Sequence, residues 1–248
     1  MNVYCTAGYP RLHSTIEVMK ALQENGADII ELGMPFSDPL ADGPVIQQSS
    51  SVALANGMTI KILFEQLRDM RNVNSPLGVG GIPVVLMGYM NSVLQYGFEK
   101  FCADAAAVGI DGLILPDLPE YEFEKEYGSI IKKYGLDFIF LVTPETSDER
   151  VKKLDSLSSG FLYAVSSSST TGGDKSTAAS TEYLSRLKSL NPKNRVLVGF
   201  GIKDKASFDA VCQLADGAII GSAYIKALEN STDVNASTKS FLSSILGR

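Results

Sequence analysis

The sequence has no excess of cations: lysine and arginine total 22 against 28 aspartates and glutamates, a formal net charge of −6. No basic stripe is available to neutralise a phosphate backbone, so nucleic acid and anionic membranes are excluded as partners. Histidine occurs once, at His13, and a Ser-His-Asp or histidine-metal mechanism would need that residue to do everything. Metal catalysis is therefore not expected. The three cysteines, Cys5, Cys102 and Cys212, lie far apart without the paired spacing of a zinc site, which reads as buried thiols in a reducing compartment. No apolar run approaches the ~20 residues of a membrane span, and Met1-Asn2-Val3-Tyr4 lacks the charged start of a signal peptide. The cytoplasm is the expected location. What remains is a globular chain of 248 residues, 45% hydrophobic and 20% charged, long enough to bury a substantial core.

Eight short apolar runs recur along the chain, around Val3–Cys5, Asp28–Leu32, Ile82–Met87, Gly112–Leu115, Asp137–Val142, Phe161–Val165, Arg195–Phe200 and Gly217–Ile220. Most are continuously apolar, as strands buried on both faces of a parallel sheet are. Helical segments separate them. Ser14 to Glu17 and Thr146 to Glu149 have capping-box spacing, Asp204 reads as a cap for a stripe of Phe208, Val211, Cys212 and Ala215, and Gly26 can close the first helix. Eight strand–helix units without a linker predict one α/β domain over residues 1–248, a (β/α)8 TIM barrel. An open doubly wound sheet would carry a dinucleotide fingerprint after its first strand, where this chain has Thr6-Ala7-Gly8-Tyr9-Pro10.

Barrel active sites lie at the C-terminal ends of the strands. The spacing predicts a long loop after strand 2, from Gly33 to Gly57, and long ordered loops are usually functional. Glu31 stands at the tip of the strand before it, where a carboxylate is either an acid or base facing a polar cavity or a group satisfied by nearby donors. Asp42, before Gly43-Pro44, is open between a turn cap and a functional carboxylate. The hydroxyl- and glycine-rich stretch 166–177 after strand 6 reads as a mobile lid or a plain surface loop. Glycines at the tips of strands 7 and 8, in Gly199-Phe200-Gly201-Ile202 and Gly221-Ser222-Ala223, let backbone N–H groups approach an anion. The acidic, aromatic run Tyr121–Tyr127 reads as the solvated first turns of a helix.

The run Glu31-Leu32-Gly33-Met34-Pro35-Phe36-Ser37-Asp38-Pro39-Leu40-Ala41-Asp42-Gly43-Pro44-Val45-Ile46-Gln47 closely resembles the signature of the tryptophan synthase α subunit family. Thr6 to Pro10, Tyr89-Met90-Asn91, Gly109 to Gly112 with Pro116-Asp117-Leu118-Pro119, Thr143-Pro144 and the glycine motifs of strands 7 and 8 follow in the family's order. The resemblance implies retro-aldol cleavage of indole-3-glycerol phosphate to indole and glyceraldehyde 3-phosphate, with no cofactor in this subunit. Under it, Glu31 is the general acid/base and Asp42 the carboxylate that assists the indole ring. Tyr4, Tyr163 and Phe200 line the indole pocket, and Thr171, Gly172, Gly201, Gly221 and Ser222 belong to the substrate and phosphate positions. Pro35, Phe36, Asp38, Pro39, Asn91 and Pro119 meet a pyridoxal-phosphate-dependent β subunit, in an expected α2β2 assembly. Two departures stand out: the first strand begins almost at Met1, where the family usually has a further helix, and Ser167 and Ser169 replace a frequent Arg and a common Gly. A free-standing lyase, or a catalytically weak barrel that activates a β partner, are the competing readings.

Overall fold

The computed structural model of the chain describes residues 1–72, 78–165, 176–199 and 201–248. Its strands are β1 (Asn2–Thr6), β2 (Ile29–Gly33), β3 (Val84–Met87), β4 (Gly112–Ile114), β5 (Asp137–Phe138), β6 (Leu141–Val142), β7 (Phe161–Val165), β8 (Arg195–Gly199) and β9 (Gly217–Ile220). All pair in parallel in the order β5-β4-β3-β2-β1-β9-β8-β7-β6. The two ends of that order are two halves of one run. Between them, Ile139 N–H donates to Leu113 O (3.0 Å) and Tyr163 N–H donates to Phe140 O (3.0 Å). The sheet thus closes on itself through the fifth apolar run, which the sequence presents as a single strand.

Closure explains why the runs are apolar throughout. One set of alternate residues, Val85, Ile114, Ile139, Phe161, Leu197 and Ile219, fills the barrel interior. The other set, including Val3, Ile30, Leu32, Leu86, Leu162 and Val198, packs outward beneath the helices. Both faces are buried. With helices following the strands around the ring, this is a TIM-barrel-like α/β fold.

Several local expectations are corrected. The stretch 33–57 is not one loop, because Pro44–Ala55 is a helix with Gly43 as its N-cap and Pro44 in its first turn. Its buried positions are Ile46, Ser49, Ser50 and Ala53, and three small residues among four give no apolar stripe to read. The loop proper is 34–43. Ser14 does not form the capping box: a 3-10 turn, Leu12–Ser14, gives it helical backbone angles, and its hydroxyl is buried with no partner among the described residues. Ser147, rather than Thr146, caps the helix Asp148–Leu157, since the Thr146 hydroxyl accepts the Thr143 N–H (3.0 Å). Asp204 caps its helix as expected, with Ser207 returning the bond. Cys5 and Cys102 are buried, but Cys212 is exposed. The run Tyr121–Tyr127 is only partly solvated, because Phe123 packs on Phe138 and Phe140 with ring centroids 4.7 and 5.0 Å away. No helix among the described residues is long and apolar enough to cross a membrane.

Candidate active site

Strand tips converge on a cavity of about 370 Å³ that Tyr4, Glu31, Met87, Leu141, Tyr163, Gly199, Ile219 and Gly221 line from different strands or their ends. Asp42 and Ile46 close one side; Gly201, Lys203, Ser222 and Lys226 line another. The structure therefore brings together Tyr4, Glu31, Asp42, Tyr163, Gly201, Gly221 and Ser222 of the expected site. Thr171, Gly172 and Phe200 lie outside the described residues, as do Ser167 and Ser169. Ile46 was missed because it sits on a helix the sequence concealed. Lys203 and Lys226 gave no motif, yet they bring cationic charge to the glycine-tipped end of the cavity.

Glu31 is 1% exposed. Burial disfavours its charged form and pushes the carboxyl up to about 8, aided by the negative charge of Asp42 and opposed by Asn2, whose Nδ2 donates to Glu31 Oε2 at 2.9 Å. At neutral pH the group is mostly protonated, poised to give a proton and to take one back. Asp42 is also pushed upward by burial, although Tyr89 Oη donates to its Oδ2 at 3.1 Å. Its backbone is pinned separately, Asp42 N–H donating to Pro39 O (3.0 Å) and Gln47 Nε2 to Asp42 O (2.8 Å). The carboxylate does not cap the following helix, so the turn-cap reading gives way to a side chain directed at the cavity. Burial and the facing carboxylates hold the Tyr4 and Tyr163 phenols neutral.

Two glycines make room for these phenols. A Cβ on Gly33 would stand 2.1 Å from Tyr4 Oη, and one on Gly199 would stand 2.6 Å from Tyr163 Oη. Gly33→Ala must displace the buried Tyr4 ring. Its unfolding free energy in urea is expected to fall by ~1–3 kcal/mol, the usual cost of overpacking.

On the outer rim, Phe36 stacks on Tyr89 with centroids 5.1 Å apart. Asp38, Asn91 and Pro119 are exposed, whereas Pro39 is buried and Pro35 and Phe36 are half-buried. Leu40, in the same loop, offers an apolar side chain to solvent and is 93% exposed. Among the described residues no cluster of His, Cys, Asp and Glu is placed to hold a metal ion.

A closed barrel with one buried and one half-buried carboxylate lining a single cavity at the C-terminal side of its strands is the arrangement of a TIM-barrel-like enzyme. The sequence profile of the family described as "Tryptophan synthase alpha chain" matches residues 2–245. The tryptophan synthase alpha chain of Flavobacterium johnsoniae is 51% identical over 232 residues, 93% of this chain and 89% of that one. That of Bacteroides thetaiotaomicron is 46% identical over 234 residues, covering 94% and 89%. The tryptophan synthase A-subunit of Pyrococcus furiosus superposes with TM-score 0.88 at 35% identity, covering 100% of this chain and 98% of that one. A chain of the tryptophan synthase of M. tuberculosis superposes with TM-score 0.83 at 33% identity, covering 98% and 92%. The chain belongs to the tryptophan synthase alpha chain family.

Proposed function

We propose that Glu31 and Asp42 perform the family's reaction, the retro-aldol cleavage of indole-3-glycerol phosphate to indole and glyceraldehyde 3-phosphate. The observation that carries this reading is a carboxyl, Glu31, buried in the cavity that a second carboxylate, Asp42, also lines, with burial favouring its protonated form. Glu31 gives its proton to the indole carbon bearing the glycerol chain. Positive charge then develops on the ring nitrogen, whose N–H donates to Asp42. The Glu31 carboxylate next takes the proton of the glycerol hydroxyl on the adjacent carbon. The C–O bond becomes a carbonyl, the carbon–carbon bond breaks, and its electron pair restores the indole ring. Glu31 ends protonated, and no electron or proton is left over.

Tyr4 and Tyr163 form the aromatic wall for indole, to which the family resemblance adds Phe200. Gly201, Gly221 and Ser222 hold the phosphate end, with Lys203 and Lys226 adding charge; the family resemblance adds Thr171 and Gly172. Pyridoxal phosphate belongs to the β subunit, with which this family assembles. Pro35, Phe36, Asp38, Pro39, Asn91 and Pro119 face that partner in an α2β2 complex. Residues 1–248 act as one barrel domain; the cytoplasm, consistent with the unpaired thiols of Cys5 and Cys102, is its compartment.

Indole release from indole-3-glycerol phosphate tests the activity directly. For the phosphate end, Ser222→Asp places a carboxylate beside a dianion. Calorimetry should show glycerol 3-phosphate binding weakened at least about tenfold, ~1.4 kcal/mol, with indole affinity nearly unchanged. Equal glycerol 3-phosphate affinity would place the phosphate elsewhere.

A further inference from the structure

Asn2 is fully buried on β1, in register with Ile29 of β2 on one side and Ile219 of β9 on the other. An amide between apolar strands is costly unless hydrogen-bonded, and a leucine would fill the same space. Asn2 makes one side-chain hydrogen bond, from Nδ2 to Glu31 Oε2 at 2.9 Å. Its Oδ1 is buried with no partner among the described residues. The amide is thus aimed at the carboxyl, and nothing on its far side fixes which end faces Glu31.

We propose that Asn2 is the positioning residue for Glu31, and that its amide turns over as the carboxyl changes protonation state. Nδ2 donates to the ionised group, and Oδ1 accepts from the protonated one. The proposal rests on Glu31 being the acid/base. An ionised carboxylate only accepts, whereas a protonated one has a hydrogen to donate; an amide offers both functions in nearly the same shape, exchanged by a half-turn of its last torsion. The half-turn replaces one unpartnered buried atom by another, so no second hydrogen bond is sacrificed. Asn2 holds Oε2 from the N-terminal start of β1, which leaves Oε1 for the substrate. The reaction inverts the charge of Glu31 twice per turnover, and this arrangement keeps the carboxyl hydrogen-bonded in both states. Of the titratable groups around it, Asp42 from the loop after β2 acts on Glu31, while Tyr4 and Cys5 on β1 and Tyr163 on β7 feel its charge. Tyr4, Cys5 and Tyr163 are kept neutral, chiefly by burial, which leaves Asn2 and Asp42 as the opposed influences.

The test uses the chain with its cognate β subunit for activity and the chain selectively labelled for NMR. In Asn2→Leu, the carboxyl-carbon titration of Glu31 and the alkaline limb of kcat/KM should both move up by about one pH unit, the size of a lost charge-assisted hydrogen bond. Asn2→Asp should move them further, because two adjacent carboxyls share one proton. kcat should fall about tenfold with little change in KM, since the loss is in positioning rather than in ground-state binding. In the wild type, proton contacts between the Asn2 amide hydrogens and the Glu31 methylenes should be present above the Glu31 midpoint and lost below it. Persistence of those contacts at both pH values overturns the turnover of the amide. An unmoved Glu31 titration in Asn2→Leu and Asn2→Asp overturns the positioning role. If Asn2→Leu does not fold, Asn2→Ser, too short to reach Glu31, serves in its place. A Glu31→Gln control separates the two ideas: if it retains turnover, the catalytic reading fails, while the NMR titration still decides the coupling.

Discussion

Glu31→Gln is expected to lose turnover by ~10²–10⁴-fold, the range of general acid–base catalysis, and to unfold less readily than the wild type at alkaline pH. The amide keeps the shape of the protonated acid and can still meet Asn2, so substrate affinity should stay within about threefold, under ~0.7 kcal/mol. The stability change follows from the same burial. The folded Glu31 carboxyl titrates near 8 against an ordinary value of 4.5, so the folded state favours the proton. Its contribution is fully present below pH 4.5 and is lost as pH rises through 8. Gln has no proton to lose. The variant's advantage should therefore be small at pH 5 and grow to a few kcal/mol by pH 9, measured as the difference between two urea-unfolding curves. Retention of more than about a tenth of wild-type kcat would remove Glu31 from the chemistry. A pH-independent stability difference would instead mean that the carboxyl is not desolvated.

How much of this was legible follows from what each residue does locally. The alternation of strands and helices was readable because both faces of every strand are buried, which leaves continuous apolar runs bounded by Gly, Pro or Asp. Glu31 was readable for the same reason, as a charge interrupting such a run. Asp42 could not be separated from a turn residue by pattern, because its role depends on Tyr89, 47 positions away along the chain. The helix Pro44–Ala55 was hidden by the serines that make its buried face. Asn2 gave no signal: one amide near a chain start means nothing until the β1–β2 pairing sets it against Glu31. The capping boxes failed on spacing alone: a 3-10 turn at Leu12–Ser14 moved Ser14 out of cap geometry, and the Thr146 hydroxyl was taken by the Thr143 N–H.

The same Tyr89 link gives the second large effect, on partner activation. A cognate β subunit is expected to raise kcat at least about tenfold, and Phe36→Ala is expected to abolish most of that gain while lowering basal turnover less than about threefold. In the isolated chain Tyr89 Oη donates to Oδ2 of Asp42, the carboxylate proposed to accept the ring N–H of the substrate, and the same Oη also accepts the Ala41 N–H at 3.1 Å. The phenol thus competes with indole for the Asp42 carboxylate. Phe36 stacks on that phenol, and Leu40, 93% exposed, projects from the same loop two residues before Asp42. Covering Leu40 with a partner surface is worth ~1.5–3 kcal/mol, whereas a tenfold gain in rate needs only ~1.4 kcal/mol. Docking can therefore shift the loop between a phenol-bound and a substrate-bound Asp42 without any contact to the substrate itself. Phe36→Ala breaks the transmission but leaves Asp42, Tyr89 and the cavity in place, so activation should fall more than basal rate. Tyr89→Phe should do the reverse, releasing Asp42 and raising basal turnover while shrinking the response to β. Equal losses of basal and activated rate in Phe36→Ala would reduce Phe36 to a packing role, and high basal activity indifferent to the β subunit would identify a free-standing lyase.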